Sequence, residues 1–274
     1  MIMKNLRKEQ DRIFLFDLNG TLTLPHKNIS DNMLFALGEL LHRGNGDIAI
    51  VSSGDFNSVY EQIGRHLLNY SLENRIKILP CNGTQIYCYD NGWQKIYSLS
   101  MKEEIGSELY LKLIEGILRY QSIRIKSFPK IPTSSNFISY QGGSINWSLI
   151  GKDCSEEERA EFVRDERNIY IRTILLNLLK KNIGSSKIDY ALSGQTSISI
   201  YPRGWDKTYA LTHFKEKECW FFGDNCESGR RDFSLWKKLE SSGRAFKTRG
   251  PEETIQIIDQ LIHIFSRQKG WSNG

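Results

Sequence analysis

Residues 13–23, IFLFDLNGTLT, pass from an apolar run into a carboxylate, Asp17, and then into the turn Leu18-Asn19-Gly20-Thr21. A carboxylate in that setting suits phosphoryl transfer, yet Asn19 stands where a second carboxylate is expected. The stretch poses a choice between an enzyme that moves phosphoryl groups and the frame of one that has lost part of its chemistry. Ser53 in VSSGD, Lys207 in GWDK, and Asp224 and Asp232 in FFGDNCESGRRD are the further polar residues of interest. Each alone has an ordinary reading: Asp17 as a turn residue, Ser53 as a helix cap, Lys207 as a surface cation, Asp224 as a loop residue. Their joint occurrence in this order, with Asp17, Ser53 and Asp224 at strand ends, carries the information.

The elements around them have recognisable periods. RIFLFDL is a short apolar run bounded by a glycine turn, as a fully buried parallel strand is. SDNMLFALGELLHRG opens with a Ser/Asp cap, spaces Met33, Leu34, Leu37, Leu40 and Leu41 at helical intervals and stops at Gly44. DIAIVSSGD and FNSVYEQIGRHLL repeat the strand and helix, the order of an α/β domain with a parallel sheet. Ligands of such sheets sit beyond the carboxyl ends of the strands, so Asp17 and Ser53 are expected to face one crevice. From about residue 94 the pattern changes. QKIYSLS alternates, KEEIGSELYLKLIEGILRYQ is amphipathic, and NFISYQGGSINWSLIG reads as a hairpin around Gly142-Gly143. A long helix is predicted from Ser155 to Lys181, followed by the strands SKIDYALSG and TSISIYP, before the buried style returns in ECWFFGDN. The reading is one α/β core, residues 1–90 and 199–274, with an α+β module at 91–198 inserted into it.

Composition bounds the possibilities. The 274 residues include 37 basic and 32 acidic ones, a formal net charge of +5 that is scattered rather than blocked. A nucleic-acid partner is therefore not expected, and weak attraction to phosphorylated small molecules is the more economical use of the excess. The five cysteines form no CxxC pair and have no histidine at ligand spacing, which argues for reduced thiols in a cytoplasmic protein. The basic, polar MIMKNLRKEQDR lacks the apolar segment of a signal peptide, and no run approaches a membrane span. His42, His66, His213 and His263 fall in predicted helices and are read as structural or exposed.

The ordered set Asp17-Leu18-Asn19-Gly20-Thr21, Ser53, Lys207, Asp224 and Asp232 resembles the haloacid dehalogenase superfamily of phosphotransferases. That resemblance implies a Rossmann-like core, Asp17 as the nucleophile that attacks phosphorus, and Mg2+ to offset the repulsion between carboxylate and phosphate. It implies Asp17, Asn19, Asp224 and Asp232 around the metal, oxygen donors that suit so hard a cation. Ser53 and Lys207 are implied to hold the phosphoryl group, with Ser52 a less favoured substitute for Ser53. Gly20 allows the sharp turn that aims amide N–H groups at phosphate oxygens, and Thr21 and Gly54 are implied with it as substrate-binding residues.

A closer resemblance runs from about residue 12 to 265, through LFDLNGTLTLP, GDFNSVYEQIG, NGTQIY, IGKDCSEEERAEF, GQTSISIYPRGWDK, FFGDN and GPEETIQII. It is to the phosphomannomutase family. This implies that the inserted module is a cap with an antiparallel sheet, that two chains pair cap to cap, and that the substrate is a sugar phosphate. The departures fall at polar positions. The family's second loop carboxylate shuttles a proton; Asn19 cannot, a loss of about 10²–10⁴-fold in rate. The family's phosphate-gripping guanidinium groups map onto Ser134, Gln141 and Lys152, a further arginine onto His26, and a sugar-binding acid onto Ser199, while Ser197 keeps its type. Serine and glutamine do not reproduce the bidentate arginine fork, and lysine replaces it only as a point charge. Cations appear instead at Arg203, Arg230 and Arg231. Phosphatase or altered phosphotransferase activity is thus expected ahead of efficient mutase turnover. The alternative is a catalytically impaired protein that binds a phosphorylated ligand.

Overall fold

Ile13, Phe14, Leu15 and Phe16 are consecutive and all buried, a pattern that only a central strand covered on both faces accommodates. The computed structural model, which describes residues 12–25 and 27–271, places them in β1 (Arg12–Phe16). α1 (Asp31–Arg43) follows, its first turn capped by the Ser30 hydroxyl, which accepts from Met33 N. β2 (Gly46–Val51) pairs parallel with β1. Next come α2 (Phe56–Val59), a π-helical turn (Tyr60–Gly64) and α3 (Arg65–Leu67). β3 (Ile76–Leu79), a 3-10 turn (Cys81–Gly83), β4 (Gln85–Tyr89) and β5 (Trp93–Ser98) complete this first stretch.

The middle of the chain holds α4 (Met101–Ile105), α5 (Ser107–Ser127), β6 (Ile138–Tyr140) and β7 (Ile145–Ser148). α6 (Glu156–Arg164), α7 (Arg167–Ile183), β8 (Ile188–Ser193) and β9 (Ser197–Pro202) follow. A 3-10 helix (Lys207–His213), β10 (Glu218–Gly223), α8 (Phe233–Glu240), β11 (Ala245–Lys247) and α9 (Pro251–Trp271) end the described chain.

These elements form two compact units. One takes the residues through Tyr97, Lys207–Ser228 and those from Asp232 on; the other takes Ser98–Asp206 with Gly229–Arg231. The first is built on a seven-stranded sheet of order β11-β10-β1-β2-β3-β4-β5, with β11, β10, β1, β2 and β3 mutually parallel and β4 antiparallel to β3. α1 and α9 bury Leu34, Leu37, Leu41, Ile258 and Leu261 in the core on one face; Ala210, Phe214, Leu235 and Leu239 fill the other. Each fully buried aliphatic or aromatic side chain contributes roughly 1.5–3 kcal/mol. The second unit is built on a separate four-stranded antiparallel sheet, β6-β7-β9-β8. Trp147 and Ile198 are buried on its helix side, where the Trp147 indole donates to Gln121 of α5 at 2.8 Å. The fold is therefore the α/β type expected, with a mostly parallel sheet and a separate antiparallel one.

Several elements differ from their sequence reading. β5, expected to open the second module, is the edge strand of the seven-stranded sheet; its mostly exposed side chains suit an edge. Residues 198 and 199, placed on either side of a domain boundary, both lie within β9. The helix predicted from 155 to 181 is two helices. Asp165, at φ −88° and ψ 102°, interrupts it, and its carboxylate accepts from the backbone N–H of Arg167 at the start of α7. Gly106, at φ 85°, likewise separates α4 from α5. Among the described residues no helix is long and apolar enough to cross a membrane.

Candidate active site

The carboxyl ends of β1, β2 and β10 lie side by side, and the loops leaving them carry the polar residues. Asp17 follows β1 directly, and its backbone N–H donates to Phe222 O of β10 at 2.9 Å, which fixes where its side chain begins. The next residues fold into a compact turn: the N–H groups of Leu22 and Thr23 donate to Leu18 O, and Gly20 N donates to Thr23 O at 2.7 Å. Gly20 has φ +90°, and a Cβ there would overlap the Asp224 carboxylate. Glycine is required both by conformation and by space. Thr21 is fully buried within this turn.

Four charged side chains from three segments meet here. The Lys207 ammonium donates to Asp17 Oδ1 and, at 2.5 Å, to Asp232 Oδ1. Asp17, Lys207 and Asp232 are 2%, 1% and 1% exposed, so this ion pairing is removed from solvent. Asp232 Oδ2 accepts from Asn225 N at 3.1 Å, and the Asn225 amide donates to Asp224 Oδ2 at 2.6 Å. One oxygen from each of Asp17, Asp224 and Asp232 lies within 4.8 Å of the others. Three carboxylates against one ammonium leave two formal negative charges in a largely buried place, a costly arrangement without a counter-charge. An all-oxygen set of that charge fits a hard divalent cation. Asp17, Asp224 and Asp232 are the side chains that would hold it.

One buried thiol borders this group and another lies at the opposite end of β10. Cys226 donates to Gly223 O at 3.3 Å, and burial, reinforced by Asp232, pushes its thiol well above the ordinary range. Cys219, at the start of β10, is pushed up to about 11 by burial. Neither is a thiolate near neutral pH, so neither competes with the carboxylates as nucleophile.

Ser53 lies in the loop beyond β2. The neighbouring Ser52 hydroxyl accepts from Gly54 N at 3.0 Å, closing a tight turn, while Ser52 itself is buried. Ser53 is half-buried, which favours it over Ser52 for contact with a ligand. Asp17, Asn19, Gly20, Thr21, Ser53, Gly54, Lys207, Asp224 and Asp232 all belong to the first unit. His26 lies outside the described residues.

Ser134, Gln141, Lys152, Ser197 and Ser199 belong to the second unit. Ser134 Oγ donates to Ile150 O at 2.9 Å, in a loop held by Arg124, whose guanidinium donates to Thr133 and Leu149 O and is lowered to about 10 by burial. Gln141 Oε1 accepts from Ser144 Oγ at 3.1 Å. Lys152 Nζ donates to Ser139 Oγ at 3.0 Å. Strand register aligns Ser139, Asn146, Ser199 and Ala191 in one row, and Ser148, Ser197 and Ser193 in the next. The sheet thus brings Lys152, Ser197 and Ser199 to one face, whose two central rows are neutral. Arg203 pairs with Asp189 at 3.7 Å, and Arg230 is exposed.

Sequence reasoning passed over Asn225, which organises both Asp224 and Asp232, although it stands next to a carboxylate in FFGDN.

Comparison with known proteins bears on this geometry. A family model described as eukaryotic phosphomannomutase matches residues 37–264. The phosphomannomutase of Spinacia oleracea is 31% identical over 261 residues, covering 94% of this chain and 97% of that one. That of Saccharomyces cerevisiae is 31% identical over 264 residues, with the same coverage of 94% and 97%. Among solved structures, Plasmodium falciparum IMP-nucleotidase superposes with a TM-score of 0.61 at 16% identity, over 95% of this chain and 70% of that one. The C-terminal domain of Candida albicans trehalose-6-phosphate phosphatase gives 0.56 at 14% identity, over 93% of each. These two likenesses concern the fold; the sequence relatives and the family model show more, and the chain belongs to the eukaryotic phosphomannomutase family of the haloacid dehalogenase superfamily.

Proposed function

We propose that the protein transfers phosphoryl groups from a phosphorylated sugar or similar small molecule through an aspartyl-phosphate at Asp17, with Mg2+ as its cofactor. The observation that carries this reading is the buried Lys207 ammonium held between Asp17 and Asp232, with Asp224 beside them. An Asp17 oxygen forms the bond to phosphorus while the bond from phosphorus to the ester oxygen breaks, its electron pair leaving with that oxygen. Lys207 keeps Asp17 ionised and aimed, and the Ser53 hydroxyl donates to a phosphoryl oxygen. When bound, Mg2+ supplies charge neutralisation between the carboxylate and the phosphoryl oxygens. A water or a second hydroxyl then bonds to that phosphorus as the bond from phosphorus to the Asp17 oxygen breaks, its electron pair returning to the carboxylate and the attacking oxygen's proton passing to solvent.

Asn19 has no titrating proton, so the leaving oxygen takes its proton from solvent. This favours substrates with good leaving groups, and hydrolysis or altered phosphotransfer ahead of mutase turnover. The neutral rows of the second unit's sheet support the same preference, because they offer a ligand hydroxyl and amide partners in place of charge. In this reading the second unit is the cap module of the family. The family relationship supports a homodimer through it, testable by sedimentation, and the free thiols at Cys81, Cys88, Cys154, Cys219 and Cys226 are consistent with a cytoplasmic protein.

The test is hydrolysis of an activated aryl phosphate with Mg2+, comparing the protein with Asp17→Ala. Hydrolysis by the first and a blank rate for the second supports the reading. Blank rates for both transfer the weight to a second reading, a non-catalytic binder of phosphorylated ligands, which Asn19 favours. Thermal stabilisation by phosphorylated metabolites would then identify its ligand.

A further inference from the structure

Residues 81–83 form a turn that the site as described leaves without a purpose. Cys81, Asn82 and Gly83 have φ of 51°, 61° and 90°, three consecutive residues in the left-handed region, two of them not glycine. Such a run persists only where its surroundings over-determine it. Here they do so from two sides. Cys81 N donates to Gly54 O at 2.9 Å and Asn82 N to Ser52 O at 2.8 Å, so the turn grips the loop that carries Ser53. On the other side Gly83 O is bonded to His213 Nε2 at 2.7 Å. A Cβ on Gly83 would lie 2.9 Å from the Ala210 Cα, so the turn also packs directly on the backbone of the 3-10 helix. Lys207 begins that helix and His213 ends it.

Because a carbonyl only accepts, His213 carries its proton on Nε2. Burial lowers its pKa, which keeps the ring neutral near pH 7. Its faces and edges are fixed by Tyr97, with ring centroids 4.9 Å apart, and by Tyr209 at 5.6 Å, and the two tyrosine hydroxyls are hydrogen-bonded at 2.8 Å. Every residue named belongs to the first unit.

We propose that the Cys81–Gly83 turn and His213 form a keystone that sets the Ser53 loop and the Lys207 helix in register, with His213 a positioning residue acting through Lys207. The inference rests on the phosphoryl-transfer reading for its kinetic consequence, though not for its structural one. Misplacing a catalytic group by about 1 Å can lower a rate by about 10²-fold.

The experiment uses the full chain and two readouts. In steady-state hydrolysis of an aryl phosphate with Mg2+, His213→Ala is expected to lower kcat by about 10²-fold with little change in KM. His213→Gln, whose amide can donate to the same carbonyl, is expected to recover most of that loss. In a Lys207→Met background His213→Ala should add no further loss, since partners in one unit are non-additive. The second readout is the side-chain ammonium resonance of Lys207 in 15N-lysine-labelled protein, assigned by its disappearance in Lys207→Met. His213→Ala should shift it and speed its hydrogen exchange, while His213→Gln should leave it in place.

An unchanged ammonium signal in folded His213→Ala overturns the proposal, as do losses of kcat that multiply equally in both backgrounds. If His213→Ala does not fold, His213→Asn, one methylene shorter than Gln, carries the same test. If the unmutated protein turns over no faster than Asp17→Ala, the phosphoryl-transfer reading falls, and the ammonium resonance alone then decides whether the keystone stands.

Discussion

The loops at the carboxyl ends of β1 and β10 and the neutral rows of the antiparallel sheet have been treated differently in this chain. In the first, each charged side chain has a named hydrogen-bond partner: Lys207 for Asp17 and Asp232, Asn225 for Asp224 and Asp232. In the second, Ser139, Asn146 and Ser199 form one register row and Ser148 and Ser197 another, with no charge among them, and Lys152 donates to the Ser139 hydroxyl. A buried ionic group is expensive to keep and more expensive to break, so its retention marks a place where charge is used. Neutral hydroxyls impose no such demand. Under the proposed function, the reaction belongs to the first unit and the second is where ligand selection differs.

The largest effect is expected from breaking the charged region. Lys207→Met leaves Asp17 and Asp232 facing each other without their cation, in a place where both are buried. Removing one member of a buried pair destabilises by about 3–5 kcal/mol. Urea unfolding in EDTA should show that loss, and Mg2+ should restore part of it by supplying positive charge to the same carboxylates. Equal stability of Lys207→Met and the unmutated protein in EDTA would mean that the pairing contributes little. In the neutral region, Lys152→Met should shift the urea midpoint negligibly, since exposed lysines contribute little.

The charged region was also the more legible in sequence, for a physical reason. Asp17, Ser53 and Asp224 each follow a short, wholly apolar run, and a parallel sheet buried on both faces leaves such runs no other reading. Lys207 has no such flag; only its place in an ordered set of motifs marked it. The second unit was harder. β5 is mostly exposed along its length, so its residue pattern does not say which sheet it joins. The break at Asp165 depends on a side chain bonding Arg167 N, an alternative to helix continuation that periodicity does not register. His213 looked like any helical histidine, because the carbonyl that fixes it is 130 residues away in the chain.

A gain of function sharpens the comparison from the catalytic side. Asn19→Asp places a titrating group beside Asp17 and should raise turnover of an unactivated sugar monophosphate by about 10²-fold or more. The gain should be much smaller on an aryl phosphate, whose leaving group departs without protonation. An equal gain on both substrates would show that Asn19 limits something other than proton transfer. On the neutral side, Gln141→Arg supplies one charge-assisted hydrogen bond, about 1.5–3 kcal/mol. Binding of a hexose bisphosphate, measured by calorimetry, should tighten by about 10-fold or more, with monophosphate binding nearly unchanged. If neither changes, the sheet face does not meet the distal end of the ligand.

The smallest effect expected is a pH dependence that belongs to one region only. All five histidines lie outside residues 98–206. The pKa of His213, in the first unit, is lowered by burial, with its bond to Gly83 O opposing the shift. A group with a depressed pKa in the folded state binds its proton more readily when unfolded. Its contribution to stability is therefore whole above the unfolded value of about 6.5 and is lost as pH falls through the folded one. His213→Gln keeps a donor for Gly83 O and removes the titration. Urea midpoints at pH 7.5 and 5.5 should accordingly converge for His213→Gln relative to the unmutated protein. Convergence without any change in the Lys207 ammonium signal is the sharpest form of the result, because it separates what His213 does for stability from what it holds in place.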